Sequence, residues 1–344
     1  MPNPLKLASL WRVVKDVDLD AIRRASQAPF TLAIVADREE DAAAVRALLT
    51  GPDVPPHPWV QIAAPTVESL SALSSPAMAG ILVTRTQDLS EGLKLAGNRF
   101  STSGTPVLAL VAGDTSRTAK VLRPGEHSRV AVEAIDAAAV DAIATALVLM
   151  TTEDQQVALG AQLTPLRPAI FTRTIERTAR ANASFALTTG LAEAIPVLTA
   201  PLNLGDMVVL TKNQLMMSYR LALTAGRQGD PKALMSEIIG VLGGGVLFRQ
   251  IARQLVGLIP IAGLLPKVAI AYAGTFAIGK AVVAWTTEGR QITTDAVAAY
   301  SREGLVKGRA LAEHLVEQAG ATGGKVAKRF ERFRKFLPGK RTTE

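Results

Sequence analysis

Apolar and polar positions divide this chain near residue 150. Residues 30–36 form an unbroken apolar run with β-branched side chains, which predicts a strand covered on both faces. Four more short runs, at 59–63, 80–84, 107–112 and 129–135, also read as strands. Helical spacing fills the intervals at 37–49, 66–74, 88–97 and 136–150. Strands alternating with helices predict an open, mostly parallel α/β sheet of Rossmann or GTPase-like type. Ahead of it, residues 5–27 read as an amphipathic helical arm. Leu7, Leu10, Trp11, Val14 and Val17 form its stripe, and Asp18 or Asp20 can cap a short second helix.

Beyond Met150 the period is helical throughout. Residues 153–180 read as helix with a break at Pro165 and Pro168. Residues 181–228 are rich in Ala and Leu and are interrupted by Pro196, Pro201 and Gly205. Asp230-Pro231 is a helix start, a capping residue followed by proline at the first helical position. Residues 290–320 read as one long polar helix with Val297, Tyr300, Gly304, Leu311 and Leu315 on one side. The expected layout is an arm (1–28), an α/β domain (29–151), a helical domain (152–289), a long polar helix (290–322) and a basic tail (323–344).

The block from Ile238 to Trp285 carries four charges, Arg249, Arg253, Lys267 and Lys280, all positive, and eight glycines. Such a segment must enter a tight helical core or lipid. Its uncharged windows, 254–266 and 268–279, are 13 and 12 residues long, short of the roughly 20 that one spanning helix needs. Two readings stay open for 254–285: a Gly-rich apolar hairpin inside a soluble bundle, with Gly274 and Gly279 permitting close contact, or a hairpin dipping into the bilayer with Lys267 snorkelling. Arg249 and Arg253 share a helix face. Glu193 and Asp206 are the only acids between Ala181 and Arg227. Buried charges need partners, so an Arg–acid pair across helices is expected here. Asn182, Asn213 and Gln214 read as satisfied polar residues between helices.

Composition removes several chemistries. Of 344 residues none is cysteine, which excludes disulfides and thiolate sites, and His57, His127 and His314 are far apart. No spacing argues a Ser/His/Asp triad or a paired-carboxylate site, and no metal or cofactor is implied. Trp11, Arg12, Lys15 and Asp16 interrupt any apolar run near the start, which disfavours a secretory leader. The net charge is +8, and residues 325–344 hold eight Lys/Arg against two Glu, so most of it sits in the tail. There Val326, Phe330, Phe333 and Leu337 form one helical face, flanked by Lys325, Lys328, Arg329, Arg332, Arg334 and Lys335. This is the pattern of a helix lying in a membrane interface. Packing of the phenylalanines on the body and binding of nucleic-acid phosphates are the alternatives; without a sequence-reading module, nucleic acid is disfavoured.

Residues 175–287 resemble the bacterial helical family called domain of unknown function 697. The matching elements are 179–183 (ARANA), Thr188-Thr189-Gly190, Ala194-Ile195-Pro196, Leu210 with Thr211-Lys212-Asn213-Gln214, 249–253 (RQIAR), 257–260 (GLIP) and 269–279 (AIAYAGTFAIG). The family occurs C-terminal to Era-like GTPase domains and in inner-membrane proteins. The resemblance implies a helical fold and a membrane link, brings no known activity, and implies that residues 29–151 are a G domain or its remnant. A working G domain needs a glycine-bearing phosphate loop with a Lys-Ser/Thr pair after its first strand. Here Ala36-Asp37-Arg38-Glu39-Glu40-Asp41 stands in that place, with four acids and no glycine. Past the fourth strand, only Asp114 is compatible with a guanine-specifying motif. Glu39, Glu40 and Asp41 read as a solvated helix start. The expectation is a pseudo-GTPase scaffold or regulator on the cytoplasmic face of a bacterial membrane, with a nucleotide-binding switch as the alternative. An anionic membrane surface is the expected partner, nucleotide is disfavoured, and the protein partner is open.

Overall fold

Five short apolar runs become the strands β1 (Leu32–Ala36), β2 (Val60–Ala63), β3 (Ala79–Thr84), β4 (Val107–Ala112) and β5 (Ser128–Val132). The computed structural model describes residues 11–15, 17–51, 54–55, 57–73, 76–113, 128–192, 204–243, 264–289 and 292–321. All strand pairings are parallel, in the order β2-β1-β3-β4-β5. Ile34 stands opposite Ile62 on one side and Ile81 on the other. Every residue of β1 and β3 is buried, as strands covered on both faces require.

Alternation along the strands divides the sheet's side chains between two cores. Leu32, Ile34, Ile81, Val83, Leu108 and Leu110 enter one, with helices α2 (Glu39–Thr50) and α5 (Ala139–Met150). Ala33, Val35, Leu82 and Val107 enter the other, with α3 (Val67–Ala72) and α4 (Glu91–Thr102). Gly80 has a packing reason: a Cβ there would meet the Phe100 ring of α4 at 2.5 Å. The pattern ended α4 at residue 97. The helix instead runs to Thr102 and stops before Gly104, whose φ of +71° suits glycine. Its start is fixed by Ser90, whose hydroxyl accepts from the Leu93 N–H.

A capping box of Thr152 and Gln155 opens α6 (Glu153–Gln162). A 3₁₀ turn, Thr164–Leu166, then carries the expected proline break into α7 (Arg167–Ala192). Leu159, Leu163, Leu166 and Ile170 belong to the sheet's core, whereas Val157, Phe171 and Ile175 belong to the helical one, so this stretch is shared. Ahead of the sheet, α1 (Leu19–Gln27) is capped by Asp18. Val14 and Leu19 are buried in the helical core and not against the sheet.

The remaining helices are α8 (Leu204–Thr224), α9 (Pro231–Gly243), α10 (Leu264–Glu288) and α11 (Thr294–Ala321). Asp230 caps α9 by accepting from the Ala233 N–H, as its sequence implied. Helix α10 packs against α7, α8 and α11. Its Val268, Ala269, Tyr272, Ala273, Phe276 and Ala277 are each at most 3% exposed. Residues 268–288 of this helix are the one stretch among the described residues long and apolar enough to cross a membrane, and here Val268 to Val282 contribute to the helical core while Thr287 and Glu288 are exposed. Small residues bring the helices together. A Cβ on Gly279 would meet Ile175 at 2.6 Å, and one on Gly308 would meet the Ala269 carbonyl at 2.7 Å. Pro266 falls inside the first turn of α10, where proline costs little. The other half of the expected hairpin, residues 254–263, lies outside the described residues.

Candidate functional site

In a doubly wound sheet of this order the chain leaves β1 and β3 toward opposite flanks. The crevice beyond their carboxyl ends is where such folds bind ligands. Here β1 runs into Asp37, Arg38 and α2, and β3 runs into Arg85. Asp41, in the first turn of α2, is 4% exposed. Arg85 engages it bidentately: Nη2 donates to Oδ1 at 2.6 Å and Nε to Oδ2 at 2.9 Å. The carboxylate raises the Arg85 pKa above its ordinary value, through the hydrogen bonds first and charge second. Beside this pair, the Ser90 hydroxyl donates to Asp37 Oδ1 at 2.6 Å and ties the start of α4 to the end of β1.

Asp41 therefore departs from expectation. Glu39 and Glu40 are exposed, as a solvated helix start requires, but Asp41 is turned inward and paired with a residue 44 positions away. The reason is helical geometry. Asp41 stands four residues before Val45 and eight before Leu49, so it lies on the buried face of α2, whereas Glu39 and Glu40 lie on the exposed one. Arg85 carries little signal in the sequence. Its only local sign is a charged residue directly after an apolar strand.

The crevice holds four acids, Asp37, Glu39, Glu40 and Asp41, against two bases, Arg38 and Arg85, a formal charge of −2. The α2 helix dipole, which in phosphate sites faces an anion, has acidic side chains in its first turn. Arg38 pairs with Glu40. A phosphate approaching here would have to displace an internal carboxylate from Arg85 and face three other acids. Beyond β4, Gly113 turns the chain with a φ of +88°, and Asp114 lies outside the described residues.

In the bundle the expected polar residues do meet. The Asn182 Nδ2 donates to Thr275 Oγ1 at 2.9 Å, Gln214 Nε2 donates to the same oxygen at 3.1 Å, and Asn213 Nδ2 donates to Asn182 Oδ1 at 2.7 Å. Thr275 Oγ1 in turn donates to the Ala271 carbonyl, so its one proton and both lone pairs are used. This network joins α7, α8 and α10. Arg177 and Arg220 converge on Glu153 at 2.8 and 3.1 Å, bringing α7 and α8 to the start of α6. Burial lowers the Arg177 pKa, and Glu153 offsets part of that. The expected pair of Arg249 or Arg253 with Glu193 or Asp206 falls outside the described side chains, as does the whole tail with Lys325, Arg329, Phe330 and Phe333.

Compared with known proteins, the chain matches no family model, no curated protein and no solved structure.

Proposed function

We propose that this protein works by contact: a GTPase-like α/β domain that has lost nucleotide binding is joined to a helical domain resembling domain of unknown function 697, and the basic tail holds both at an anionic membrane surface, on the cytoplasmic face of a bacterial membrane. The observation that carries the reading is the closed crevice at β1 and β3, where Asp41 occupies Arg85 from within. A scaffold or regulator needs two coupled units and no turnover, and the core shared along α6 and the start of α7 couples them. The tether follows from the tail's composition. Each basic residue near an anionic leaflet contributes about 1 kcal/mol and each buried phenylalanine roughly 1.5–3. The burial of α10 among its neighbours favours peripheral attachment over insertion.

Two measurements test this. Thermal-shift titration with GTP, GDP and ATP in magnesium should leave the melting temperature unchanged; saturable stabilisation by any of them would establish a nucleotide-dependent switch instead. Flotation with anionic vesicles should be lost in a 1–322 truncation. Flotation that survives both truncation and high salt would mean that the apolar helices insert, and heparin retention without flotation would mean nucleic-acid binding.

A further inference from the structure

A cavity of about 600 Å³ opens between the start of α7, the second half of α10 and the first half of α11. That volume is in the range of small-molecule pockets. Its floor is apolar: Phe171, Ile175 and Phe276 are 7%, 2% and 3% exposed, with Val283 beside them. Its rim carries Arg167, Lys280, Lys307 and Glu303. The three cations are not equivalent. Lys307 is neutralised, with its ammonium 2.7 Å from Glu176, 3.9 Å from Glu303 and over the Phe276 ring. Lys280 sits over the Tyr300 ring at 5.9 Å, and no carboxylate among the described residues pairs with it.

Arg167 is more unusual. It is half-buried, and its Nε and Nη2 donate to the carbonyls of Gly160 and Ala161 in the last turn of α6, at 2.8 and 3.4 Å. Three of its five N–H groups have no protein acceptor among the described residues. Burial lowers its pKa, and no acid offsets the effect. Gly226, at φ +87°, leaves the room: a Cβ there would stand 2.9 Å from Arg167 Nη2. A partly buried cation normally has a counter-ion. Here an apolar floor ends in two cations that lack one among the described residues.

We propose that this cleft binds a single-chain anionic amphiphile, its carboxylate or phosphate head between Arg167 and Lys280 and its chain on Phe171, Ile175, Phe276 and Val283. The basic tail is a poor occupant, because it shares the rim's sign of charge. The site does not depend on the tether or on the state of the sheet's crevice, so it stands or falls separately from them.

The test uses the full chain and calorimetric titration with decanoate, with 1-decanol and decyltrimethylammonium as chain-matched neutral and cationic controls. Decanoate should bind to saturation and more tightly than either control. Lys280→Gln should weaken it about tenfold, the loss of one charge-assisted contact. Val283→Trp, which fills the floor, should abolish binding while leaving both cations in place. Arg167→Gln should weaken binding too, but it also removes a cap from α6, so Lys280→Gln is the deciding variant. Lysophosphatidic acid in place of decanoate distinguishes the two sources of this chemistry, and tighter binding identifies the source. Failure of both anions to bind overturns the assignment, as does decanol binding equal to decanoate or affinity unchanged in Lys280→Gln.

Discussion

The contact between α10 and α11 lends itself to a controlled perturbation. Gly304 and Gly308, one turn apart on α11, lie against the backbone of α10. A Cβ on Gly304 would stand 3.0 Å from Ala273 Cα and 3.1 Å from its carbonyl oxygen; one on Gly308 would stand 2.7 Å from the Ala269 oxygen. These are backbone atoms, so no rotamer change relieves the clash, and α10 and α11 would have to separate. Gly240, in α9, provides the control, because nothing lies within 4 Å of a Cβ built there. Replacing glycine by alanine inside a helix gains about 1 kcal/mol from backbone propensity at both sites. Overpacking costs about 1–3 kcal/mol and applies only to α11. Gly240→Ala should therefore raise stability, and Gly308→Ala should lie about 1–3 kcal/mol below it. Urea unfolding with the slope held common to all variants reads both from the midpoints. If Gly308→Ala stabilises as much as Gly240→Ala, then α10 and α11 are not in backbone contact. The burial argument against membrane insertion of α10 would fail with it.

Three further outcomes are expected. Thr275→Val keeps the side-chain shape but leaves the amides of Asn182 and Gln214 without their acceptor, so it should cost about 1–3 kcal/mol in the same assay, and Thr275→Ser should recover most of it. Arg85→Ala strands a buried carboxylate whereas Asp41→Asn releases an exposed guanidinium, so Arg85→Ala should melt at the lower temperature; equal melting temperatures would mean that Asp41 is solvated. Tyr219, fully buried with its hydroxyl donating to the Leu19 carbonyl at 3.3 Å, has its pKa pushed up to about 12 by burial. The unfolded chain releases that proton near pH 10, so its contribution, about 2–3 kcal/mol, is complete below pH 10 and is lost as pH rises toward 12. Chemical denaturation across that window should show a shallower decline in Tyr219→Phe, and an unchanged decline would refute the assignment.

Several features were legible because they are local. The β1 run Leu32–Ala36 is apolar at every position, the pattern that burial on both faces of a sheet favours. Asp230-Pro231 and Asp18 start helices through hydrogen bonds spanning three residues, a distance any sequence window contains. Helical spacing marks residues 88–97, but α4 continues to Thr102. Its last turns carry Phe100, which packs on Gly80 of the sheet, a contact no window contains.

The chain's own order of residues determined where strands and helices arise, that they separate into an α/β half and a helical half, and where its positive charge concentrates. Those properties follow from backbone geometry, side-chain period and composition, which act over a few residues. The tertiary structure decided which side chains meet: Asp41 turned away from water onto Arg85, Thr275 shared by two amides, Gly308 against Ala269, and Arg167 and Lys280 at one cleft without a paired acid among the described residues. Those partners lie tens to hundreds of positions apart. Whether a charge is solvated, paired or left open to a ligand depends on what packing brings beside it.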